Sequence, residues 1–196
     1  MSELKVFSDI ALIRAFQDGN AKALDKLIDR YKDKLYSTIF FLVKDQWIAD
    51  DIYQDTFIRI IDTLRFNRYN EQGKFLPWAA RIAHNRCIDY FRKQKRQPPI
   101  VTSENSEIND IFEMIDSNID NAEQRMIREQ SYGKVYHMLD QLPSDQREVI
   151  VLRHFADLSF KEIATLTNCS INTALGRMRY GLINLRKIMV EKSIVL

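Results

Sequence analysis

Arg177, Arg179, Arg186 and Lys187 lie in a stretch, residues 171–187, that holds no acidic residue. Guanidinium groups bind phosphate oxygens and guanine edges through paired hydrogen bonds, so this pattern points to nucleic acid. Asn172 and Thr173 open the same stretch with side chains of a kind that contacts bases. Covalent chemistry finds no such support. His84, His137 and His154 fall on separate elements without motif spacing, and Cys87 and Cys169 each lack a CxxC partner. The expectation is a protein that is not an enzyme, with no catalytic residue, no metal site, no cofactor and no disulfide framework.

Capped turns must position these groups. Residues 142–187 contain three short helical patterns in succession. Ser159 with Glu162 three residues on has the form of a capping box, and Ser170 starts the next helix after the turn Asn168-Cys169. Two short helices joined by such a turn make a helix-turn-helix, whose second helix enters a DNA major groove. The N-terminal residues of that helix usually meet bases, which nominates Asn172, Thr173, Gly176 and Arg177. Tyr180 and Lys187 share their side, with Lys187 placed for phosphate. Ile171, Ala174, Leu175, Met178, Leu182, Leu185 and Met189 are expected to form the core stripe. Gly176 costs helix stability and makes sense where another backbone comes close. An ordinary amphipathic helix in a bundle is the other reading.

Apolar residues recur at three and four through most of the chain, and glycine (5) and proline (4) are sparse among 196 residues. The fold class expected is all-α: two small helical domains joined by an acidic linker, the C-terminal one a helix-turn-helix. Helices are predicted over residues 10–16, 21–43, 48–64 and 78–95, with Pro98-Pro99 ending the last. The domains expected are 1–96 and 124–196, with the linker over 97–123. One amphipathic turn could form within it, at Ile108, Ile111, Phe112 and Ile115. The net charge is only +2, but it is segregated. Residues 81–96 set Arg81, Arg86, Arg92, Lys93, Lys95 and Arg96 against Asp89 alone, whereas the linker is strongly acidic. No apolar run approaches a membrane span and the N-terminus has no signal-peptide pattern, so no membrane insertion and a cytoplasmic location are expected.

Two more helical faces stand out at ~100° per residue. Over residues 48–64, Ala49, Tyr53, Thr56, Phe57, Ile60 and Leu64 face one way. Asp51, Gln54, Asp55, Ile58 and Asp62 collect opposite. An isoleucine framed by acids suits a basic protein partner, though spacing alone favours a solvated face with one stray apolar residue. Over residues 78–96, Ala79, Ala80, Ala83, Cys87, Tyr90 and Phe91 share the inner face, with Cys87 a buried thiol. Trp78, Arg81, Asn85, Asp89, Arg92 and Arg96 share the outer one, and Lys74 and Phe75 precede them. Arginines for phosphate, an amide for a base edge and an aromatic for stacking suit an unpaired strand. A basic solubilising face with Trp78 partly buried is the alternative.

Taken in order, these segments resemble the two-domain extracytoplasmic-function sigma factors of RNA polymerase. DDIYQDTFIRI (50–60) is similar to the family's polymerase-binding helix, FLPWAARIAHNRCIDYFRK (75–93) to its FxxWLxRIAxNxxxDxxRK helix, and 142–187 to its C-terminal helix-turn-helix. The resemblance implies a subunit that binds core RNA polymerase and directs promoter recognition, melting and initiation. It implies that Asp51, Gln54, Asp55, Ile58 and Asp62 dock on the polymerase. It implies that Lys74, Phe75, Trp78, Arg81, Asn85, Arg92 and Arg96 melt and read the minus-ten element. Asn172, Thr173, Gly176, Arg177, Tyr180 and Lys187 would then serve the minus-thirty-five element. Partners implied are core polymerase, promoter DNA and an anti-sigma factor. The linker would pass near the RNA exit path. Pro77 and Ala79 depart from the pattern, and Leu175 stands where lysine is common, which removes one cation. A free-standing helix-turn-helix regulator is the competing function; it needs neither the acidic face nor the 78–96 helix. The free chain could also hide its DNA faces by packing one domain on the other.

Overall fold

The computed structural model describes residues 7–70, 74–96 and 135–192, and all regular structure among these is helical. The expected linker and residues 124–134 lie outside the described residues. α1 (Asp9–Gln17) is capped by Ser8, whose hydroxyl accepts from the Ala11 N–H, and it ends at Gly19 with φ +98. A left-handed residue of this kind closes a helix at no steric cost only when it is glycine. α2 (Ala21–Val43) has the predicted bounds. α3 (Gln46–Arg65) begins two residues early because Asp45 caps it from the side chain, accepting from the Ile48 N–H.

α4 (Phe75–Arg96) starts three residues before the expected Trp78. Pro77 sits inside its first turn, where a missing N–H costs nothing, and the helix is unbroken. α5 (Ser144–His154), α6 (Phe160–Leu166) and α7 (Ile171–Glu191) form the terminal unit. The capping box at Ser159 is complete, with both reciprocal bonds to Glu162. Ser170 caps α7 by accepting from the Thr173 N–H, and Asn168 takes the left-handed turn position with φ 52. These bonds satisfy donors that a helix N-terminus would otherwise leave unpaired.

α2, α3 and α4 pack around Leu27, Leu35, Ile39, Ile60 and Leu64, all buried. Burying side chains of this size stabilises by roughly 1.5–3 kcal/mol each. α5 and α6 pack on α7 around Val149, Leu152, Leu158 and Ile163. The two halves are not separate. Phe41 of α2 meets Phe155 at 4.8 Å between ring centroids, and Phe40 meets Tyr136 at 5.3 Å. Two buried apolar clusters result, and each draws side chains from both halves.

Candidate nucleic-acid and protein interfaces

On α3 the inward residues turn inward as the periodicity requires: Ala49, Thr56, Phe57, Ile60 and Leu64 are buried, with Ile52 beside them and Tyr53 half-buried. Asp51, Gln54, Asp55, Ile58 and Asp62 are all exposed, Ile58 to 59%. Among the described residues no ion pair engages Asp51, Asp55 or Asp62. Asp50 is different; it accepts the Tyr36 hydroxyl at 2.9 Å and serves the packing of α2 on α3. Sequence reasoning missed Trp47. It is 75% exposed and lies one turn before Asp51 on the same face, so it adds a large apolar surface to the acidic stripe. Its spacing of four, seven and eleven residues to Asp51, Gln54 and Ile58 was the signal.

α4 presents Arg81, Asn85, Arg92 and Arg96 on its exposed side, with Lys74 exposed just before it. Cys87 is fully buried, and burial pushes its thiol up to about 12. Phe75 corrects the sequence reading. It is only 2% exposed, with its ring 5.2 Å from Tyr31 and 5.6 Å from Trp78. Because α4 starts at Phe75, that residue turns into the bundle and supports Trp78 instead of facing outward. Trp78 is half-buried, its ring 4.4 Å from Tyr69.

Arg81 is exposed but paired. Its Nη2 donates to Glu162 Oε1 of α6 at 2.9 Å. Burial pushes the Glu162 carboxyl up. The Ser159 hydroxyl and backbone N–H that donate to it, with Lys74 and Arg81 nearby, outweigh that and hold it below the usual carboxylate range. Glu162 therefore holds Arg81 directly and acts on Lys74 only through its charge. Arg92 pairs within its own helix with Asp89 at 3.5 Å.

On α7, Asn172, Thr173, Tyr180 and Lys187 are exposed, Tyr180 to 62%. Thr173 also shares a hydroxyl hydrogen bond with the Ser170 cap at 2.8 Å. Arg177 is partly buried, its Nε 3.2 Å from Asp145 Oδ2. Asn184 donates to Gln146 at 2.8 Å and belongs to the packing of α7 on α5. Two expectations for α7 fail. Ile171, Leu175 and Leu182 are exposed, Leu175 to 43%, and the buried stripe is Ala174, Gly181 and Ile188, flanked by Met178, Leu185 and Met189. The close contact is at Gly181, and it is with side chains of α5, not with another backbone: a Cβ would meet Ile150 Cδ1 at 2.7 Å, whereas around Gly176 nothing lies within 4 Å. Gly176 faces open space on the side where a groove would fit.

The halves meet through charge as well as apolar contact. Lys34 donates to Asp157 at 2.8 Å, and Lys44 pairs with Asp140. His84, 2% exposed, places Nε2 2.8 Å from Glu148 Oε1. Its burial between α4 and α5 fits a structural rather than a metal-binding role, and no His/Cys/Asp/Glu cluster suited to a metal occurs among the described residues.

Residues 27–97 match the family model "Sigma-70 region 2", and residues 132–175 match "Sigma-70, region 4". The RNA polymerase sigma-H factor of Pseudomonas aeruginosa is 30% identical over 172 residues, covering 87% of this chain and 88% of that protein. The ECF RNA polymerase sigma-E factor of Escherichia coli is 30% identical over 176 residues, covering 87% of this chain and 88% of that protein. Among solved structures, CnrH in complex with the cytosolic domain of CnrY matches with a TM-score of 0.60 at 22% identity, over 94% of this chain and 99% of that one. The sigma factor RpoE of Bartonella quintana, in complex with the anti-sigma factor NepR, matches with a TM-score of 0.60 at 17% identity, over 86% of this chain and 98% of that one. These likenesses run across both halves of the chain and favour a polymerase subunit over a free-standing regulator: the chain belongs to the extracytoplasmic-function sigma factors of RNA polymerase.

Proposed function

We propose that this sigma factor divides its work among three faces. The α3 stripe of Asp51, Gln54, Asp55, Ile58 and Asp62 docks on core polymerase, with Trp47 as an added apolar anchor. The cationic side of α4, with Lys74, Arg81, Asn85, Arg92 and Arg96, takes the minus-ten strand, and Trp78 stacks on an unpaired base. Phe75 holds Trp78 in place. The outer side of α7, with Asn172, Thr173, Gly176, Arg177, Tyr180 and Lys187, reads the minus-thirty-five element. Residues 1–96 and 124–196 act as the two promoter-binding domains and 97–123 connects them. The protein works beside polymerase in the cytoplasm and makes no covalent chemistry. An anti-sigma factor is its restraining partner; the similarly folded sigma factor RpoE was solved in complex with the anti-sigma factor NepR.

The observation that carries this reading is the α3 face. Among the described residues three aspartates stand without an ion pair around an exposed isoleucine and tryptophan, on a helix whose other side is packed. A solubilising face gains nothing from two large apolar residues, whereas a basic partner surface does. The test is binding to bacterial core RNA polymerase, wild type beside Asp55→Arg. Binding should weaken at least tenfold in the variant with the helical signal unchanged. Equal binding by both proteins would remove the docking role from this face.

A further inference from the structure

The start of α7 carries an apolar pair that its packing does not use. Ile171 is 46% exposed and Leu175, one turn on, is 43% exposed. The side that packs on α5 and α6 is made instead by Ala174, Gly181 and Ile188. Scattered exposed apolar residues are ordinary on a protein surface. These two adjoin, and their setting is specific. Asn172, Leu175, Gly176 and Arg179 stand at intervals of three, four and seven residues, so they share one side of the helix. Asn172 and Arg179 are exposed, and among the described residues no ion pair engages Arg179. No acid lies anywhere over residues 171–187. A cationic frame around a small apolar patch fits a polyanion that also offers an apolar group.

Duplex DNA offers such a group in its major groove. Base edges present donors and acceptors there, together with the C5-methyl of thymine. Leucine neither donates nor accepts a hydrogen bond, so it tells bases apart through that methyl. A leucine is short, and the helix must come close for it to reach. Gly176, the next residue, leaves the backbone bare, with nothing within 4 Å of where its Cβ would be. Helical side chains lean toward the N-terminus, so Leu175 projects toward Ile171 and the end of α7 that a groove admits.

We infer that Leu175 is a specificity-determining residue that reads the C5-methyl of a thymine in the upstream promoter element, with Ile171 shielding the contact from water. This readout rests on the assignment of α7 to the minus-thirty-five element and names the base feature selected there. Asn172 contacts a neighbouring base edge, and Arg179 takes a phosphate at the rim of the groove. The element therefore holds a thymine opposite Leu175. Uracil at that position is a poorer ligand, although its pairing and its hydrogen-bonding edge are the same.

The test uses holoenzyme made from the full chain and bacterial core polymerase, with a duplex pool randomised over the upstream element. The enriched duplex is then remade with deoxyuridine in place of each thymine in turn, on either strand. One replacement should weaken wild-type binding about three- to fivefold, the size expected for one buried methyl. The same replacement should have no measurable effect on Leu175→Ala, and a smaller effect on Ile171→Ala than on the wild type. A residue with only a packing role would weaken thymine and uracil duplexes alike. If no replacement weakens wild-type binding, or if Leu175→Ala keeps the full difference between thymine and uracil, the methyl readout is overturned while α7 keeps its place on the promoter. Failure of the holoenzyme to enrich any upstream sequence would remove both.

Discussion

Arg177 serves two situations with one guanidinium. It pairs with Asp145 at the edge of α5, yet its position near the start of α7 is where a recognition helix meets base edges. A half-exposed pair of this kind contributes about 1 kcal/mol, so DNA can take the side chain at little cost. Arg177→Ala is expected to lose about 1–3 kcal/mol of promoter affinity in a DNA-binding titration. An equal loss on DNA with a scrambled upstream element would reduce Arg177 to a phosphate contact. Trp47 belongs to the other surface. Tryptophan is the residue type most enriched among interface hot spots, and Trp47→Ala should cost about 2 kcal/mol in affinity for core polymerase. Phe66→Ala makes the control, since Phe66 is also exposed but lies beyond the C-terminal end of α3. If both variants lose the same affinity, the effect is general apolar contact and Trp47 is no anchor.

At the scale of single helices, α7 carries two glycines with opposite meanings. Gly181 is pressed on Ile150, while Gly176 faces open space. Gly176→Ala should therefore stabilise the free protein by about 0.5–1 kcal/mol in urea unfolding, as alanine does in an open helix interior. The same methyl should weaken minus-thirty-five binding if DNA comes as close as the proposed function requires. Stabilisation with unchanged affinity would mean that the groove lies elsewhere. The contrast also shows what was readable in advance. α2 and α3 were legible because each is covered along its length, so the apolar spacing and the buried face coincide. The Ser159 capping box was legible because it is wholly local. α7 is covered from one side only. Its buried stripe follows the small residues Ala174 and Gly181 that admit α5 and α6, not the large ones that spacing favours. Phe75 was misplaced for a related reason: the helix starts earlier than Trp78, and within it Phe75 stands four residues before Ala79 on the buried face. Trp47 was overlooked because it precedes the expected start of α3.

At the scale of the whole molecule, the two halves are packed over part of the surface proposed to face DNA. The ion pairs Lys34–Asp157 and Arg81–Glu162 lie at the surface and are worth little singly. The greater share comes from apolar contacts such as Phe41 on Phe155, which salt does not screen. Acid should loosen the closure. The Glu162 carboxyl is held below its ordinary value of 4.5, so its stabilisation is complete above that value and is lost as pH falls through the lower folded value. Glu162→Gln should therefore show a shallower fall in melting temperature between about pH 5 and 3 than the wild type. Identical slopes would show that Glu162 contributes no acid sensitivity. Gln at this position can still cap α6, because an amide oxygen accepts the Ser159 N–H as a carboxylate does. Every glutamate codon becomes a glutamine codon by one base change, so a lineage stands a single mutation away from releasing Arg81 without losing the helix. The hold on Arg81 is thus far easier for evolution to discard than the apolar packing of the two halves.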